Sequence, residues 1–320
     1  MKPSAVFLDA ATLGDDLSLD PLHQIADMQV FAATGDDQVV ERCRGAAVVV
    51  TNKVVFDQHR LRELQPSLRL ICLTATGYNN VDTRAAAELG ITVCNVRDYS
   101  TDSVAQHTLA MTLALLQHLA YYAEFVAGGA YVNAPVFTHF GRPWYELAGK
   151  TWGIIGMGAI GRRTAQLAAA LGCRVVYYSS TGQNRDANYQ RLELEDLLGS
   201  SQVVSIHAPL NDRTRNLIAA RELELLQPEA VLVNVGRGGI VNETDLAQAL
   251  HRGLLRGAAL DVFVDEPVRP DSPLLHVPSE RLLMTPHIAW GSIEARTRVV
   301  TGVADNIGAF QAGRPQNVVS

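Results

Sequence analysis

The sequence has few cysteines, and none in an arrangement that would bind a metal or build a disulfide framework. Its four cysteines, Cys43, Cys72, Cys94 and Cys173, lie far apart and include no C-x-x-C pair. Three of them fall in apolar, strand-like runs, which indicates buried free thiols in a reducing cytoplasm. We therefore predict no metal site.

The sequence also lacks an excess of basic residues and any long apolar run. The 27 Lys and Arg residues are outnumbered by 33 Asp and Glu residues, whereas a protein that binds a phosphate backbone needs a basic surface. No apolar stretch approaches the roughly 20 residues that span a bilayer, and MKPSAVFLDAATLGDD at the start contains no cleavable apolar leader. We predict a cytoplasmic protein that binds neither nucleic acid nor a membrane.

What the sequence does have is an alternation of short Val- and Ile-rich runs with longer helical patterns. Four runs precede residue 100 and six follow residue 150: AVFLD (5–9), AAVVVT (46–51), LRLICLTA (68–75), ITVCNV (91–96), TWGIIG (151–156), CRVVYYS (173–179), QVVSIHA (202–208), AVLVNVG (230–236), AALDVF (258–263) and RLLMTPH (281–287). In the second series the spacing fits one strand plus one crossover helix. Near-continuous apolar strands indicate a sheet covered on both faces, so we predict doubly wound parallel α/β structure in two domains.

The stretch between the two series has a helical pattern. Residues 99–125 predict one long helix, because Leu109, Leu113, Leu116 and Ala120 recur at helical spacing after the candidate caps at 100–102. The following Gly- and Pro-bearing stretch to residue 148 lacks periodicity. We expect it to drape over the surface rather than to fold independently.

A glycine motif after the first strand of the second series indicates a dinucleotide site. In GIIGMGAIGRR, Gly156 permits a tight turn, Gly158 lets the backbone approach a pyrophosphate, and Gly161 lets the next helix pack closely. Free N–H groups at the helix start then face the phosphate charge. We predict cofactor contacts over Gly156, Met157, Gly158, Ala159, Ile160 and Gly161.

The end of the next strand bears on the choice between NAD and NADP. An NAD site usually offers an acid there, but this chain has Ser179, Ser180 and Thr181, and no acid before Asp186. The hydroxyl groups there can bond either a 2′-hydroxyl or a 2′-phosphate, and Asn184 or Arg185 could face a phosphate. Tolerance of NADP(H) and a polar loop indifferent to the cofactor both stay open.

Three side chains with complementary chemistry each follow a different strand. Arg237 can bind a carboxylate with two hydrogen bonds, His287 can donate a proton to a carbonyl oxygen, and Glu266 can favour the charged imidazole. Singly, each has a structural alternative: Arg237 as a cap or a partner of Glu243, Glu266 as a turn residue, and His287 as a core histidine. Their common place at the carboxyl ends of strands favours a catalytic set.

The segments GMGAIG, NVGRGG, LDVFVDEP and TPHIAW resemble the D-isomer-specific 2-hydroxyacid dehydrogenase family, and the resemblance covers nearly the whole chain. It implies that Arg237 binds the substrate carboxylate, Glu266 orients His287, and His287 donates the proton during reduction. It also implies that Asp261 approaches the nicotinamide carboxamide.

The resemblance extends to further contacts and to two departures. TATGYNNVD (74–82) implies that Thr76, Gly77 and Tyr78 hold the substrate; Lys53 is another candidate, with a solvated loop lysine as the alternative. The family commonly has Glu at the position of Gln106, and an acid is missing at 179–181. Further implied cofactor contacts are Ser103, Thr108, His207, Ala208, Pro209, Thr214, Val235, Gly236, Arg237, Asp261 and His287, beside Ser179, Ser180 and Thr181.

Within the family, TGYNNVD, YSTDSVAQHT and YYSSTGQN look most like the glycerate dehydrogenase (hydroxypyruvate reductase) branch. This implies reduction of hydroxypyruvate or glyoxylate to the D-2-hydroxy acid with NAD(H). Because an acid is missing at 179–181, we expect NADP(H) to be tolerated or preferred. A dehydrogenase for another 2-oxo acid, such as pyruvate or phenylpyruvate, is the nearer alternative. A non-catalytic NAD(H)-sensing scaffold is the more distant one.

The resemblance implies two Rossmann-like domains. A flavodoxin-like substrate domain would comprise residues 1–99 and 290–320, and a NAD(P)-binding domain would comprise residues 100–289. The cleft between them would close on the substrate and exclude water. A homodimer is expected through the dinucleotide-binding domain, using the helix from residue 102 and the 126–148 segment.

Overall fold

The structure, a computed structural model, describes residues 2–183 and 185–319. The chain divides into two compact units. Unit 1 consists of Met1–Ser100 and Gly291–Ser320, and unit 2 is Thr101–Trp290. Each unit contains one β-sheet in which every strand pairs in parallel, which confirms the predicted fold class.

Unit 1 is a five-stranded sheet with short helices between its strands. The strands are β1 (Ser4–Phe7), β2 (Asp27–Val30), β3 (Val48–Thr51), β4 (Leu70–Leu73) and β5 (Thr92–Cys94), in the order β2-β1-β3-β4-β5. The helices are α1 (Asp20–Ile25), α2 (Val39–Cys43), α3 (Gln58–Glu63), α4 (Thr83–Glu88) and the C-terminal helix (Ile293–Gln311). The strand order reverses between β1 and β3, a place where parallel sheets commonly bind ligands.

Unit 2 is a seven-stranded sheet in the order β12-β11-β10-β9-β6-β7-β8. Its strands are β6 (Thr151–Ile155), β7 (Arg174–Tyr178), β8 (Gln190–Arg191), β9 (Val203–Ile206), β10 (Val231–Asn234), β11 (Gly257–Leu260) and β12 (Leu282–Met284). Its helices are α5 (Thr101–Leu116), α6 (Leu119–Ala127), α7 (Ala159–Ala170), α8 (Leu194–Ser200), α9 (Ala220–Glu224) and α10 (Glu243–Arg252). The order reverses between β6 and β9.

The sheet of unit 2 is buried on both faces, which explains its continuous apolar runs. On β10, Leu232 belongs to one apolar cluster, while Val231 and Val233 belong to the cluster on the opposite face. Successive strand side chains point to opposite faces, so a strand covered on both faces must be apolar throughout. All four cysteines are buried and free, as predicted.

The prediction of one helix over 99–125 is wrong. Two helices, α5 and α6, meet at an angle of 62°. His118 between them has φ +51°, and the Arg256 side chain donates to the Leu116 carbonyl at 3.0 Å and contacts His118 Nε2 at 2.7 Å. Arg256 thus satisfies a carbonyl at the end of α5, where the backbone turns.

The described residues include no single helix that is long and apolar enough to cross a membrane. In the part of the chain that the structure describes, the bent pair of α5 and α6, taken together, reaches that length and composition.

Candidate active site

The segments that follow β10, β11 and β12 lie at one edge of the unit 2 sheet, because these strands are neighbours and run parallel. Arg237 comes three residues after β10, Asp261 directly follows β11, and His287 comes three residues after β12. This edge of a parallel sheet is where ligands bind in such folds.

His287 and Glu266 form a direct pair. His287 Nδ1 lies 2.7 Å from Glu266 Oε2, and the side chains are 24% and 32% exposed. Glu266 Oε1 accepts a hydrogen bond from the Phe263 backbone N–H at 3.0 Å. The backbone thus fixes the carboxylate, and the carboxylate fixes the ring with Nδ1 as the donor. A contact of the other ring nitrogen, Nε2, with a substrate stays a prediction.

The backbone of His287 has an unusual conformation that its neighbours hold. Its φ is +54°, and its N–H donates to the carbonyls of Asp261 at 2.8 Å and Thr285 at 3.0 Å. The Asp261 carboxylate, 1% exposed, accepts from Ile288 N at 2.9 Å and Ala289 N at 2.8 Å. Asp261 therefore organises the segment that carries His287, and its contact with a nicotinamide stays a prediction.

The turn that carries Arg237 is fixed by Asn234 at the end of β10. Asn234 Nδ2 donates to the Arg237 carbonyl, and Asn234 Oδ1 accepts from Gly236 N, both at 3.0 Å. The Arg237 guanidinium donates through Nη1 to the Gly236 carbonyl at 2.7 Å. A side chain at Gly238 would overlap the carbonyl of Phe263, so this turn packs directly against the loop that holds Glu266.

Glu243, the alternative partner considered for Arg237, is engaged elsewhere. Its Oε1 accepts from Val264 N at 2.7 Å. Burial raises the pKa of the Glu243 carboxyl, with smaller effects in the same direction from Asp265 and Glu266.

The glycine-rich turn has the shape that a dinucleotide requires. Gly156 has φ +98°, and a Cβ there would lie 2.6 Å from Ala208 N; a Cβ on Gly161 would overlap the Gly156 carbonyl oxygen. A Cβ on Gly158, by contrast, meets nothing within 4 Å. Turn, strand and α7 therefore pack tightly while the side of Gly158 stays open beside the helix start. These residues fit a pyrophosphate.

The loop after β7 has polar contacts of its own. Gly182 N donates to the Ser179 carbonyl at 3.0 Å, and Gln183 N donates to Thr181 Oγ1 at 3.2 Å. Arg191 on β8 donates through Nη1 to the Gly182 carbonyl at 3.0 Å. Asp186, the first acid after β7, forms an ion pair with Arg162. Asn184 lies outside the described residues.

Several other predicted cofactor residues support the local backbone. The Thr108 hydroxyl donates to the Val104 carbonyl within α5, and Thr214 donates to the Pro209 carbonyl at 2.6 Å. Ser103 donates to the carbonyl of Ala289 at 2.7 Å, next to the His287 segment. Contacts of these side chains with a cofactor stay predictions.

His207, another predicted cofactor residue, follows β9. Its Nε2 lies 3.0 Å from Ser205 Oγ, which accepts a hydrogen bond from Trp152 Nε1 at 2.9 Å. Its Nδ1 is buried and has no hydrogen-bond partner among the described residues. Burial lowers the pKa of His207 to about 3, so its imidazole is neutral at physiological pH.

The predicted substrate residues Lys53, Thr76, Gly77 and Tyr78 belong to unit 1. They lie in the segments after β3 and β4, on one edge of that sheet. Thr76 Oγ1 donates to the Val96 carbonyl at 3.0 Å, and Tyr78 is exposed.

The turn that carries Lys53 is clamped from two sides. The buried Asp9 carboxylate accepts from Asn52 N at 2.9 Å and Lys53 N at 2.7 Å, while Asn80 Nδ2 donates to the Val54 carbonyl at 2.9 Å. Asp9 and Asn80 were not predicted as site residues. Their signal in the sequence was their position, directly after the AVFL run and inside TGYNN.

The residues that the structure describes contain no group of three or more His, Cys, Asp or Glu side chains able to hold a metal ion.

Comparison with known proteins identifies the family. Residues 109–289 match the family described as D-isomer specific 2-hydroxyacid dehydrogenase, NAD binding domain. A glycerate dehydrogenase of Methylorubrum extorquens is 37% identical over 320 residues, 100% of this chain and 99% of the relative. A glyoxylate reductase of Aeropyrum pernix is 38% identical over 260 residues, 80% of this chain and 77% of the relative.

Among solved structures, a D-lactate dehydrogenase from Aquifex aeolicus, complexed with NAD and lactic acid, aligns with a TM-score of 0.85. It is 25% identical, and the alignment covers 97% of this chain and 96% of that one. The chain therefore belongs to the D-isomer specific 2-hydroxyacid dehydrogenase family and is an oxidoreductase with that family's NAD-binding domain.

Proposed function

We propose that the protein reduces a small 2-oxo acid, hydroxypyruvate or glyoxylate, to the D-2-hydroxy acid with NADH or NADPH. The pairing of His287 with Glu266 at 2.7 Å carries the proposal, since it orients a proton donor at the edge that also holds Arg237. The relatives named glycerate dehydrogenase and glyoxylate reductase support a small substrate, because hydroxypyruvate is the 2-oxo acid that corresponds to glycerate.

The residues of this chain have distinct roles in the proposed reaction. A reduced nicotinamide, when bound, supplies a hydride to C2 of the 2-oxo acid. Arg237 binds the substrate carboxylate with two parallel hydrogen bonds. His287 Nε2 gives its proton to the carbonyl oxygen as negative charge develops there. Glu266 holds Nδ1 and stabilises the charged ring before the transfer.

Steady-state kinetics on hydroxypyruvate, glyoxylate, pyruvate and phenylpyruvate test the proposal, each with NADH and NADPH. We expect the highest kcat/KM for hydroxypyruvate or glyoxylate. A highest value for phenylpyruvate would instead support a dehydrogenase of larger acids. Tight dinucleotide binding without turnover of any of the four acids would support the scaffold alternative.

We further propose that the enzyme accepts NADPH. The described turn after β7 contains no acid, Asp186 is paired with Arg162, and the Arg191 guanidinium contacts this turn. A cation near the adenosine ribose favours a 2′-phosphate, whereas an acid would repel it. Arg191→Ala should raise the KM for NADPH and leave the KM for NADH nearly unchanged; an equal change in both would contradict this assignment.

A second copy of the chain is the proposed partner. Large apolar side chains are exposed along residues 119–145 of unit 2, which we call the apolar arm: Leu119, Val126, Tyr131, Val132, Val136, Phe137, Phe140, Trp144 and Tyr145. Exposed apolar surface of this extent marks an interaction site in soluble proteins. A homodimer through unit 2 would cover it.

A further inference from the structure

His107, on α5, contacts the segment that carries His287. Its Nε2 lies 3.2 Å from Thr285 Oγ1, and Thr285 Oγ1 donates to Asp261 Oδ1 at 2.6 Å. His107 Nε2 is also 3.9 Å from the same Asp261 oxygen. The three side chains thus form a series of hydrogen bonds that runs from α5 to the Asp261 carboxylate at the end of β11.

The direction of these hydrogen bonds follows from the groups involved. A threonine hydroxyl has one proton, and an ionised carboxylate only accepts. The Thr285 proton therefore goes to Asp261, and Thr285 Oγ1 accepts from His107 Nε2. His107 therefore carries a proton on Nε2. It donates to Thr285, and Thr285 donates to Asp261.

Asp261 in turn accepts hydrogen bonds from the backbone around His287. Its carboxylate also accepts from Ile288 N and Ala289 N, and its carbonyl accepts from His287 N at 2.8 Å. His287 has φ +54°, a conformation that persists in a non-glycine residue only when its surroundings hold it. A rotation of the Asp261 carboxylate would release the amides of Ile288 and Ala289 together.

We propose that His107 is a positioning residue for the reaction: through Thr285 and Asp261 it fixes the 285–289 backbone and thereby the direction of the His287 ring. The inference rests on the proposed role of His287 as the proton donor. It also accounts for the histidine of YSTDSVAQHT, to which the sequence assigns no role.

Matched substitutions at positions 107 and 285 test the proposal by kinetics. His107→Gln keeps a donor near Nε2, whereas His107→Leu removes it at similar volume; Thr285→Ser and Thr285→Val differ in the same way. We expect His107→Leu and Thr285→Val to lower kcat by about tenfold to a hundredfold, because a small misplacement of a reacting group has an effect of this size. KM for hydroxypyruvate and Kd for NADPH should change by less than about threefold, and the Gln and Ser variants should keep most of kcat.

Hydrogen exchange measured by mass spectrometry gives a readout that needs no turnover. In the cofactor-free protein, amides of residues 287–289 should exchange faster in His107→Leu than in wild type or His107→Gln. His251→Leu, at an exposed histidine in the last turn of α10, is the control and should change neither readout.

The outcomes separate the two proposals. Equal kcat in the Leu and Gln variants, or unchanged exchange at residues 287–289 in His107→Leu, would overturn the positioning role. If the wild-type protein reduces none of the four acids, the proposed function fails, and so does the role of His107 in the reaction, while the exchange comparison still shows whether His107 holds the segment. A loss of kcat in His107→Leu that His107→Gln does not restore would indicate general damage and would also overturn it.

Discussion

At the residue scale, His287 combines the proposed proton donor with a backbone that side chains seldom adopt. A left-handed conformation costs a non-glycine residue roughly 1–2 kcal/mol. The N–H of His287 bonds to the Asp261 carbonyl, and its ring bonds to Glu266 at 2.7 Å, so local contacts offset that cost. A variant at this position must therefore tolerate φ +54° if its kinetics are to report on the imidazole alone.

His287→Asn meets that condition, because Asn adopts the left-handed region more readily than most residues. We expect kcat for hydroxypyruvate to fall by about 10²- to 10⁴-fold, since a general acid contributes roughly that much. The Kd for NADPH, measured by the fluorescence of the bound cofactor, should stay within about twofold of wild type. Turnover close to wild type in this variant would rule out the proton-donor role.

The buried His207 should make the free energy of unfolding depend on pH. Burial lowers its pKa from 6.5 to about 3, so between these values the unfolded chain binds a proton that the folded chain does not. Its contribution to stability is complete above pH 6.5 and is lost progressively as the pH falls toward 3. Lowering the pH from 7.5 to 5 should thus cost about 2 kcal/mol through this residue.

Urea unfolding followed by tryptophan fluorescence measures this loss, because Trp144, Trp152 and Trp290 all belong to unit 2. His207→Gln removes the titrating group and should flatten the pH dependence by about the same 2 kcal/mol. His118 acts in the same direction, since burial and the nearby Arg256 and Arg142 lower its pKa. An equal slope in wild type and His207→Gln would contradict the assignment.

Candidate site residues can be proposed from the sequence where a motif marks them, whereas contacts between residues distant along the chain cannot. Arg237, Glu266 and His287 could be proposed together because each follows an apolar run that reads as a strand. His107 and Thr285 are separated by 178 positions, and no local pattern indicates that their side chains meet. The same difficulty applies to Asp9, because its hydrogen-bond partners on the Lys53 turn lie more than forty residues away along the chain.

At the element scale, apolar runs predicted the buried strands and could not predict the others. β2 and β8 have mostly exposed side chains, so neither contains an apolar run long enough to be recognised. The break between α5 and α6 was missed for another reason. It depends on Arg256, a residue far along the chain, which donates to the carbonyl of Leu116.

In the connection from β6 to α7, alanine substitutions at two glycines of one motif should have different effects, one on stability and the other on cofactor binding. A Cβ at Gly161 overlaps the Gly156 carbonyl, so Gly161→Ala should destabilise unit 2 by roughly 1–3 kcal/mol. Gly158 has φ −84° and open space around it, so Gly158→Ala should leave the free energy of unfolding nearly unchanged. Because the methyl group would stand where a pyrophosphate approaches, the Kd for NADH and NADPH should rise by about tenfold or more.

Urea unfolding and cofactor titration of Gly158→Ala and Gly161→Ala test both predictions. A stable Gly158→Ala protein that binds the cofactor as tightly as wild type would show that the pyrophosphate does not lie against this glycine. A Gly161→Ala protein of wild-type stability would show that α7 can move away from the turn at little cost.

At the scale of the whole molecule, the apolar arm is the surface feature that the single chain leaves unexplained. Phe137 and Phe140 are each 87% exposed and Val132 is 83% exposed, although residues of this type are commonly buried. Within the arm, the Tyr131 hydroxyl donates to the Phe137 carbonyl, and the Tyr122 hydroxyl donates to the Arg142 carbonyl. The arm is thus held in shape while its apolar side chains remain uncovered.

A homodimer that buries the arm predicts that polar substitutions there dissociate it. Phe137→Ser combined with Phe140→Ser should shift the mass measured by light scattering after size exclusion from a dimer toward the 34.7 kDa of one chain. The matched control, Leu171→Ser with Leu275→Ser, changes exposed apolar residues of unit 2 outside the arm and should leave the mass unchanged. Each buried phenylalanine stabilises an interface by roughly 1.5–3 kcal/mol, and the double variant removes four from a homodimer, so association should weaken by at least about 10⁴-fold. A wild-type protein that is monomeric at micromolar concentration, or a double variant that remains dimeric, would show that a second copy does not cover the arm.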